Sequence, residues 1–177
     1  MKRERQISGR NEEGLTLIEL VVVVSIIGIV VAAMGMQFQG WSGSYAIESE
    51  VKQIYSDLLN TRLSAMQRNR SHFVVINADR YQVFQDTNEN GVYDAGTDQP
   101  LPSFLNPVKL TYQLAPLWLG TVTVDSKGLV SPNQTIRVNT DLNGDGAPDV
   151  YPDYDCIVLS TTRINMGKWD GAACDAK

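Results

Sequence analysis

The sequence predicts an α+β fold in which one long N-terminal α-helix packs on an antiparallel β-sheet head domain. Apolar residues recur at helical spacing to about residue 70, and from His72 onward the period changes to two. Gly, Pro and Asn then separate short β-prone runs, which is typical of several strands that follow one helix. The chain has 177 residues and a formal net charge of −5, so its length allows one small domain besides a membrane segment.

The first part of the chain combines a polar leader with an apolar segment. Residues 1–14 carry four Lys and Arg residues and contain no apolar run, whereas residues 15–37 are long enough to form a transmembrane helix. The basic leader favours a cytoplasmic N-terminus, so we expect a single-pass membrane protein whose C-terminal domain is extracytoplasmic. Glu19 is a carboxylate within the apolar segment, and such a charge usually marks a functional partner because its burial is costly.

The segment from Gly14 to Glu19 reads GLTLIE and follows a basic leader. It resembles the class III signal of type IV prepilins and type II secretion pseudopilins. The resemblance implies that a prepilin peptidase cleaves between Gly14 and Leu15 and N-methylates Leu15. It also implies that Glu19 pairs with the N-terminal amine of a neighbouring pilin or pseudopilin subunit during assembly. The protein would lie in the bacterial inner membrane first, with its head periplasmic or extracellular, and then in a filament.

Two other interpretations of Glu19 stay open at the level of the sequence. The carboxyl group remains protonated within lipid in one of them. In the other it lies near enough to the membrane interface to be hydrated.

Residues 38–71 are predicted to form the amphipathic half of the same long helix. Apolar and small residues recur there at steps of three and four, which describes one face of a helix that packs on the sheet. These residues are Ile47, Val51, Ile54, Leu58, Thr61 and Ala65. Gly35, Gly40 and Gly43 predict a melted or bent segment near 35–43, because each costs about 1 kcal/mol relative to alanine in a helix interior.

Residues 72–177 are predicted to form a β-rich extracytoplasmic head. A hairpin is expected first, with its turn at Ala78 and Asp79. Further strands are predicted at 108–115, 120–126, 135–140 and 156–165. Their order resembles the GspH/FimT group of H-type pseudopilins and FimT-type minor pilins. A strand-Gly-strand unit at 122–130 and a last strand at 156–164 carry the likeness, although Thr162-Arg163 replaces the Gly-Arg pair common in that group.

The GspH/FimT resemblance implies a non-enzymatic minor pilin or pseudopilin. Such a subunit joins a type IV pilus or a type II secretion pseudopilus, with a place in the tip or initiation complex. The sequence agrees with the absence of catalysis, since the lone His72 has no relay partner at a plausible spacing, and neither a phosphate loop nor a zinc pattern is present.

Two alternative functions are a DNA-capturing FimT-like minor pilin and a membrane-anchored, calcium-dependent adhesive module. The acidic composition argues against nucleic acid as a partner, because DNA affinity arises mainly from phosphate neutralisation by Lys and Arg.

Two acidic loops share the pattern D-x-N-x-[ND]-G-x-x-D, which matches the first nine positions of a calcium-binding loop. In such a loop alternate side chains supply oxygens, the sixth position is glycine, and the seventh contributes a carbonyl. The candidate ligands of the first loop are Asp86, Asn88, Asn90, the carbonyl of Val92, Asp94 and Asp98. Those of the second loop are Asp141, Asn143, Asp145, the carbonyl of Ala147, Asp149 and Asp153.

Both loops place aspartate at the thirteenth position, whereas a full EF-hand has glutamate at the twelfth. We expect a structural calcium ion, and the second loop is favoured because it holds more carboxylates. The alternative is that Asn90-Gly91 and Asp145-Gly146 form ordinary hairpin turns with solvated acidic side chains.

The cysteines lie near the C-terminus, 18 positions apart at Cys156 and Cys174. This arrangement predicts one disulfide in an oxidising compartment, with two unpaired thiols as the alternative.

Overall fold

The computed structural model of the protein describes residues 16–115 and 119–176, except for the side chains of residues 33–40. The predicted leader and the cleavage site between Gly14 and Leu15 lie outside the described residues. The chain divides into two compact units, Met1–Gln39 and Gly40–Lys177.

Helix α1 spans Leu17–Arg68 without interruption. The helix is therefore not melted near 35–43, and that part of the prediction of a melted or bent segment was wrong. Gly43 has a packing role instead, because a Cβ atom added there would lie 2.8 Å from Val150 Cγ1. Glycine at this position lets the helix backbone approach the loop that contains Val150.

Within residues 16–115 and 119–176, no helix contains an apolar stretch long enough to cross a bilayer. Residue 15 and the side chains of residues 33–37, which belong to the predicted span 15–37, lie outside the described part of the chain.

The predicted apolar face of the second half of α1 is confirmed, because all six of its residues are buried. They are Ile47, Val51, Ile54, Leu58, Thr61 and Ala65. The Thr61 hydroxyl donates a 2.7 Å hydrogen bond to the carbonyl of Asp57, which satisfies the polar atom on this face. Each large aliphatic side chain removed from water contributes about 1.5–3 kcal/mol to stability.

The first sheet begins with the predicted hairpin. Its described strands are β1 (His72–Ile76), β2 (Arg80–Gln85), β3 (Gln99–Pro100), β4 (Val108–Lys109), β5 (Gly120–Val124) and β6 (Val130–Ser131). The strand order is β3-β2-β1-β5-β6, and β4 also pairs with β2. The predicted strand 108–115 is mostly irregular, since it contains only β4 and one isolated bridge between Leu114 and Val138. A 3₁₀ helix covers Pro102–Phe104.

The second sheet has the order β10-β9-β8-β7. Its strands are β7 (Gln134–Arg137), β8 (Cys156–Leu159), β9 (Ile164–Trp169) and β10 (Cys174–Ala176). The prediction of one strand over 156–165 was wrong, because a turn divides this segment into the β8–β9 hairpin. The Ser160 N–H donates to the carbonyl of Arg163 at 2.8 Å and closes the turn. Thr162-Arg163 thus lies in a turn and not within a last strand.

Cys156 and Cys174 form the predicted disulfide. It joins β8 to β10 across β9, where Gly167 lies against the backbone of Asp175 and the Cys174 sulfur. A side chain at Gly167 would collide with both. The α+β pilin-like architecture is confirmed, and within it the first acidic loop connects β2 to β3 while the second connects β7 to β8.

Candidate functional site

Glu19 lies in the first turn of α1 and is exposed. Its backbone N–H donates a 3.3 Å hydrogen bond to the hydroxyl of Thr16, which caps the helix. Thr16 and Glu19 occupy the two positions of a capping box, in which a threonine precedes a glutamate by three residues. Sequence reasoning missed this local role, although the spacing could have indicated it. A carboxylate here is also favoured by the positive end of the helix dipole.

The helix around Glu19 presents an extended apolar surface. Leu17 and Ile18 are 83% and 73% exposed, and aliphatic side chains remain exposed as far as Val31. Exposed apolar patches of this extent mark surfaces that contact lipid or another protein.

The first acidic loop, residues 86–98, is organised around the buried carboxylate of Asp86. The Gly91 N–H donates to Asp86 Oδ2 at 2.8 Å, which links the first and sixth positions of the calcium-loop pattern. Gly91 has a φ of +74°, a conformation that glycine adopts without strain. Asp86 is only 2% exposed, and its other oxygen, Oδ1, is buried without a hydrogen-bond partner among the described residues.

Asp98 closes the same loop from its other end. Its Oδ1 accepts a 3.1 Å hydrogen bond from the Thr87 N–H, and its Oδ2 accepts a 2.8 Å bond from the Asp94 N–H. The side chain is 4% exposed. Both carboxylate oxygens of Asp98 are thus engaged with the main chain, which gives this residue the geometry of a loop clamp.

The outer side of the first loop carries the exposed Asn88 and Asn90 and the half-buried Asp94. Asp94 Oδ2 accepts hydrogen bonds from the amide groups of Asn88 and Asn90, at 3.0 and 2.5 Å. These two bonds, with that of Asn88 the stronger cause, hold the pKa of the Asp94 carboxyl below its usual value. The Asn88 and Asn90 side-chain oxygens accept from the N–H groups two residues onward, Asn90 and Val92.

The second acidic loop, residues 141–153, has the same bond between its first and sixth positions. Asp141 Oδ2 accepts from the Gly146 N–H at 2.8 Å, but here Oδ1 also accepts, from the Gly144 N–H at 2.6 Å. These bonds, that of Gly146 first, lower the pKa of the Asp141 carboxyl. The first-position carboxylate of this loop is therefore satisfied by the main chain.

The remaining acidic residues of the second loop also face the main chain or the solvent. Asp145 accepts from the Ala147 N–H at 2.8 Å. Asp149 accepts from the Leu142 N–H at 2.7 Å and from the Asn143 side chain at 3.0 Å. Asp153 is exposed, and its own N–H donates to Glu48 in α1 at 2.8 Å.

In residues 16–115 and 119–176, no three His, Cys, Asp or Glu side chains lie close enough together to hold a metal ion by themselves. A site in either acidic loop has to include amide and carbonyl oxygens as well as carboxylates. Such mixed oxygen sets suit calcium and not zinc.

Residues 9–35 match the family model described as the prokaryotic N-terminal methylation motif. The chain carries a type IV pilin-like signal. This motif implies processing by prepilin peptidase, membrane anchoring and later assembly with other pilins into a filament. No curated protein and no solved structure matches the chain.

Proposed function

We propose that the chain is a minor pilin or pseudopilin of the GspH/FimT type, a structural subunit without enzymatic activity. The observation that carries this proposal is the methylation motif at 9–35, in which Glu19 follows Gly14 by five positions. The pilin-like α+β head is consistent with it. The tip or initiation complex is our preferred place for the subunit, on the strength of the GspH/FimT resemblance.

Leader removal creates the group that Glu19 needs as a partner. Hydrolysis of the Gly14–Leu15 peptide bond frees the amine of Leu15, which stays cationic after N-methylation. In an apolar environment an amine and a carboxylate attract each other far more strongly than in water. The pairing of Glu19 with the Leu15 amine of a neighbouring subunit would offset the cost of burying both charges among apolar helices.

The exposed apolar surface from Leu17 to Val31 gives the helix two successive environments in this proposal. Before assembly, lipid of the inner membrane would cover it, with the head on the extracytoplasmic side. In the filament, the equivalent helices of neighbouring pilin or pseudopilin subunits would cover it.

The variants Glu19→Gln and Glu19→Ala test the pairing, with Thr16→Ala as a control. Glutamine retains the capping-box geometry but has no charge, whereas Thr16→Ala removes the cap and leaves the charge. We expect all three proteins to be cleaved after Gly14, as mass spectrometry of the mature N-terminus will report. We expect both Glu19 variants to be depleted at least tenfold from the sheared filament fraction and Thr16→Ala to be retained.

Two results would contradict this proposal. Incorporation of Glu19→Gln at the wild-type level would remove the charge pairing and leave Glu19 with a capping role only. A leader that stays uncut in the presence of an active prepilin peptidase would remove the filament function itself.

DNA capture is not favoured by the head. Two of its arginines are neutralised within the chain, Arg70 by Glu89 at 2.8 Å and Arg80 by Asp79 at 2.9 Å. Arg137 stacks over the ring of Trp169, with 4.8 Å from its guanidinium carbon to the ring centroid. Together with the acidic net charge, these contacts argue against DNA as a partner.

A further inference from the structure

We propose that the first acidic loop, residues 86–98, binds one calcium ion and that the Oδ1 atom of Asp86 is a direct ligand. The proposal is independent of filament assembly. It assigns different roles to two loops whose sequences predict the same site.

The strongest observation is the unpartnered buried oxygen of Asp86. Leaving a buried polar atom without a partner costs free energy, and native proteins rarely do so without a reason. The other oxygen of the same carboxylate is fixed by the Gly91 N–H, which directs the group toward the loop. A cation bound within the turn would satisfy Oδ1 and neutralise the charge of the buried side chain.

The loop supplies further oxygens at the alternate positions that calcium uses. Asn88 and Asn90 contribute side-chain oxygens, Val92 a carbonyl, and Asp94 a carboxylate. Asp94 already gathers the amide groups of Asn88 and Asn90 around one oxygen, so the three side chains converge before any ion binds. Rotation of the two amide groups would replace their N–H donors with oxygens directed at the ion.

Other parts of the loop are fixed and limit the entropy lost on binding. Asp98 clamps the backbone at Thr87 and Asp94. The Tyr93 ring packs on the rings of Phe84 and Phe73, with centroid distances of 4.9 and 5.9 Å, and ties the loop to β2 and β1. Glu89 is engaged with Arg70 and balances the charge of that guanidinium.

The first aspartate of the second loop has no carboxylate oxygen without a hydrogen-bond partner. Both oxygens of Asp141 accept main-chain hydrogen bonds, from Gly146 and Gly144. Residues 142–149 are exposed, so water is available to every remaining oxygen there. An ion would have to displace main-chain bonds of the first aspartate in this loop, whereas in the first loop Asp86 Oδ1 has no hydrogen bond to lose.

The test is calorimetric titration of the full-length, chelator-stripped protein in detergent with calcium chloride. We expect binding near one ion per chain and a rise in melting temperature when calcium is added. Asp86→Asn should lower the affinity at least tenfold, and the matched change Asp141→Asn should alter it less than twofold. Asparagine can keep an acceptor for the Gly91 N–H, and its NH2 group then takes the place of the charged ligand oxygen Oδ1.

A second matched pair protects the test against misfolding of the buried variant. Asp94 is only half-buried, so Asp94→Asn should fold normally and lose affinity for calcium. Asp149→Asn should fold normally and keep its affinity. Absence of calcium binding by the wild-type protein would overturn the proposal. So would loss of binding in Asp141→Asn together with wild-type binding in Asp86→Asn and Asp94→Asn, since the ion would then belong to the second loop.

Discussion

The two acidic loops have the same nine-position pattern, but they differ in what surrounds the first aspartate. Asp86 is 2% exposed and uses one oxygen, whereas Asp141 is partly exposed and uses both. The bond from the sixth-position glycine is common to the two loops, so the pattern itself determines it. Burial and the second bond depend on the tertiary setting, and these decide whether an oxygen is left for a cation.

The largest expected effect is the loss of stability when the disulfide, which lies next to the second loop in the chain, is removed. The second loop leads into β8, which carries Cys156, so reduction should loosen that region. In the chain-entropy model, loss of a bond that closes a loop of this size lowers the free energy of unfolding by about 3 kcal/mol. Urea denaturation of the Cys156→Ser/Cys174→Ser variant measures this loss.

The same variant tests whether the calcium response belongs to the first loop. We expect its melting temperature to rise with calcium by as much as that of the wild-type protein. If calcium no longer raises the melting temperature of the variant without the disulfide, the ion would belong to the second loop or to a site that involves both loops.

A smaller effect is expected from the clamp residue of the first loop. Asp98→Ala leaves the N–H groups of Thr87 and Asp94 without their acceptor, which should lower the free energy of unfolding by about 2 kcal/mol. The matched change Asp153→Ala removes an exposed carboxylate and should alter it by less than about 0.5 kcal/mol. Both variants are measured by urea denaturation in the absence of calcium. If they lose the same free energy of unfolding, the aspartates at the thirteenth positions of the two loops have equivalent roles.

Features determined by local periodicity could be predicted from the sequence. The spacing of Ile47 to Ala65 identified the buried face of α1, because a helix repeats its faces whatever lies opposite. The β1–β2 hairpin followed from a change of period. The pairing of Cys156 with Cys174 followed from there being two cysteines in a chain expected outside the cytoplasm.

Features that depend on contacts distant in sequence could not be predicted. The β8–β9 turn runs from Ser160 to Arg163 without Gly or Pro, so the polar Ser-Thr-Thr run was the only local sign of it and a weak one. Gly43 looked like a helix breaker because the residue that requires a glycine there, Val150, is over a hundred positions away in the sequence. Counting carboxylates favoured the second loop as the calcium site, whereas the burial of Asp86 favours the first.

The most direct test of the difference between the loops compares two backbone amides, those of Gly91 and Gly146. Each donates to the first aspartate of its loop at 2.8 Å, so each reports on polarisation of that carboxylate. In a calcium titration followed by ¹H–¹⁵N NMR of the full-length protein, we predict a saturable shift of the Gly91 resonance at one equivalent and a Gly146 resonance that stays in place. A shift of Gly146 alone, or no shift of either, would contradict the assignment of calcium to the first loop.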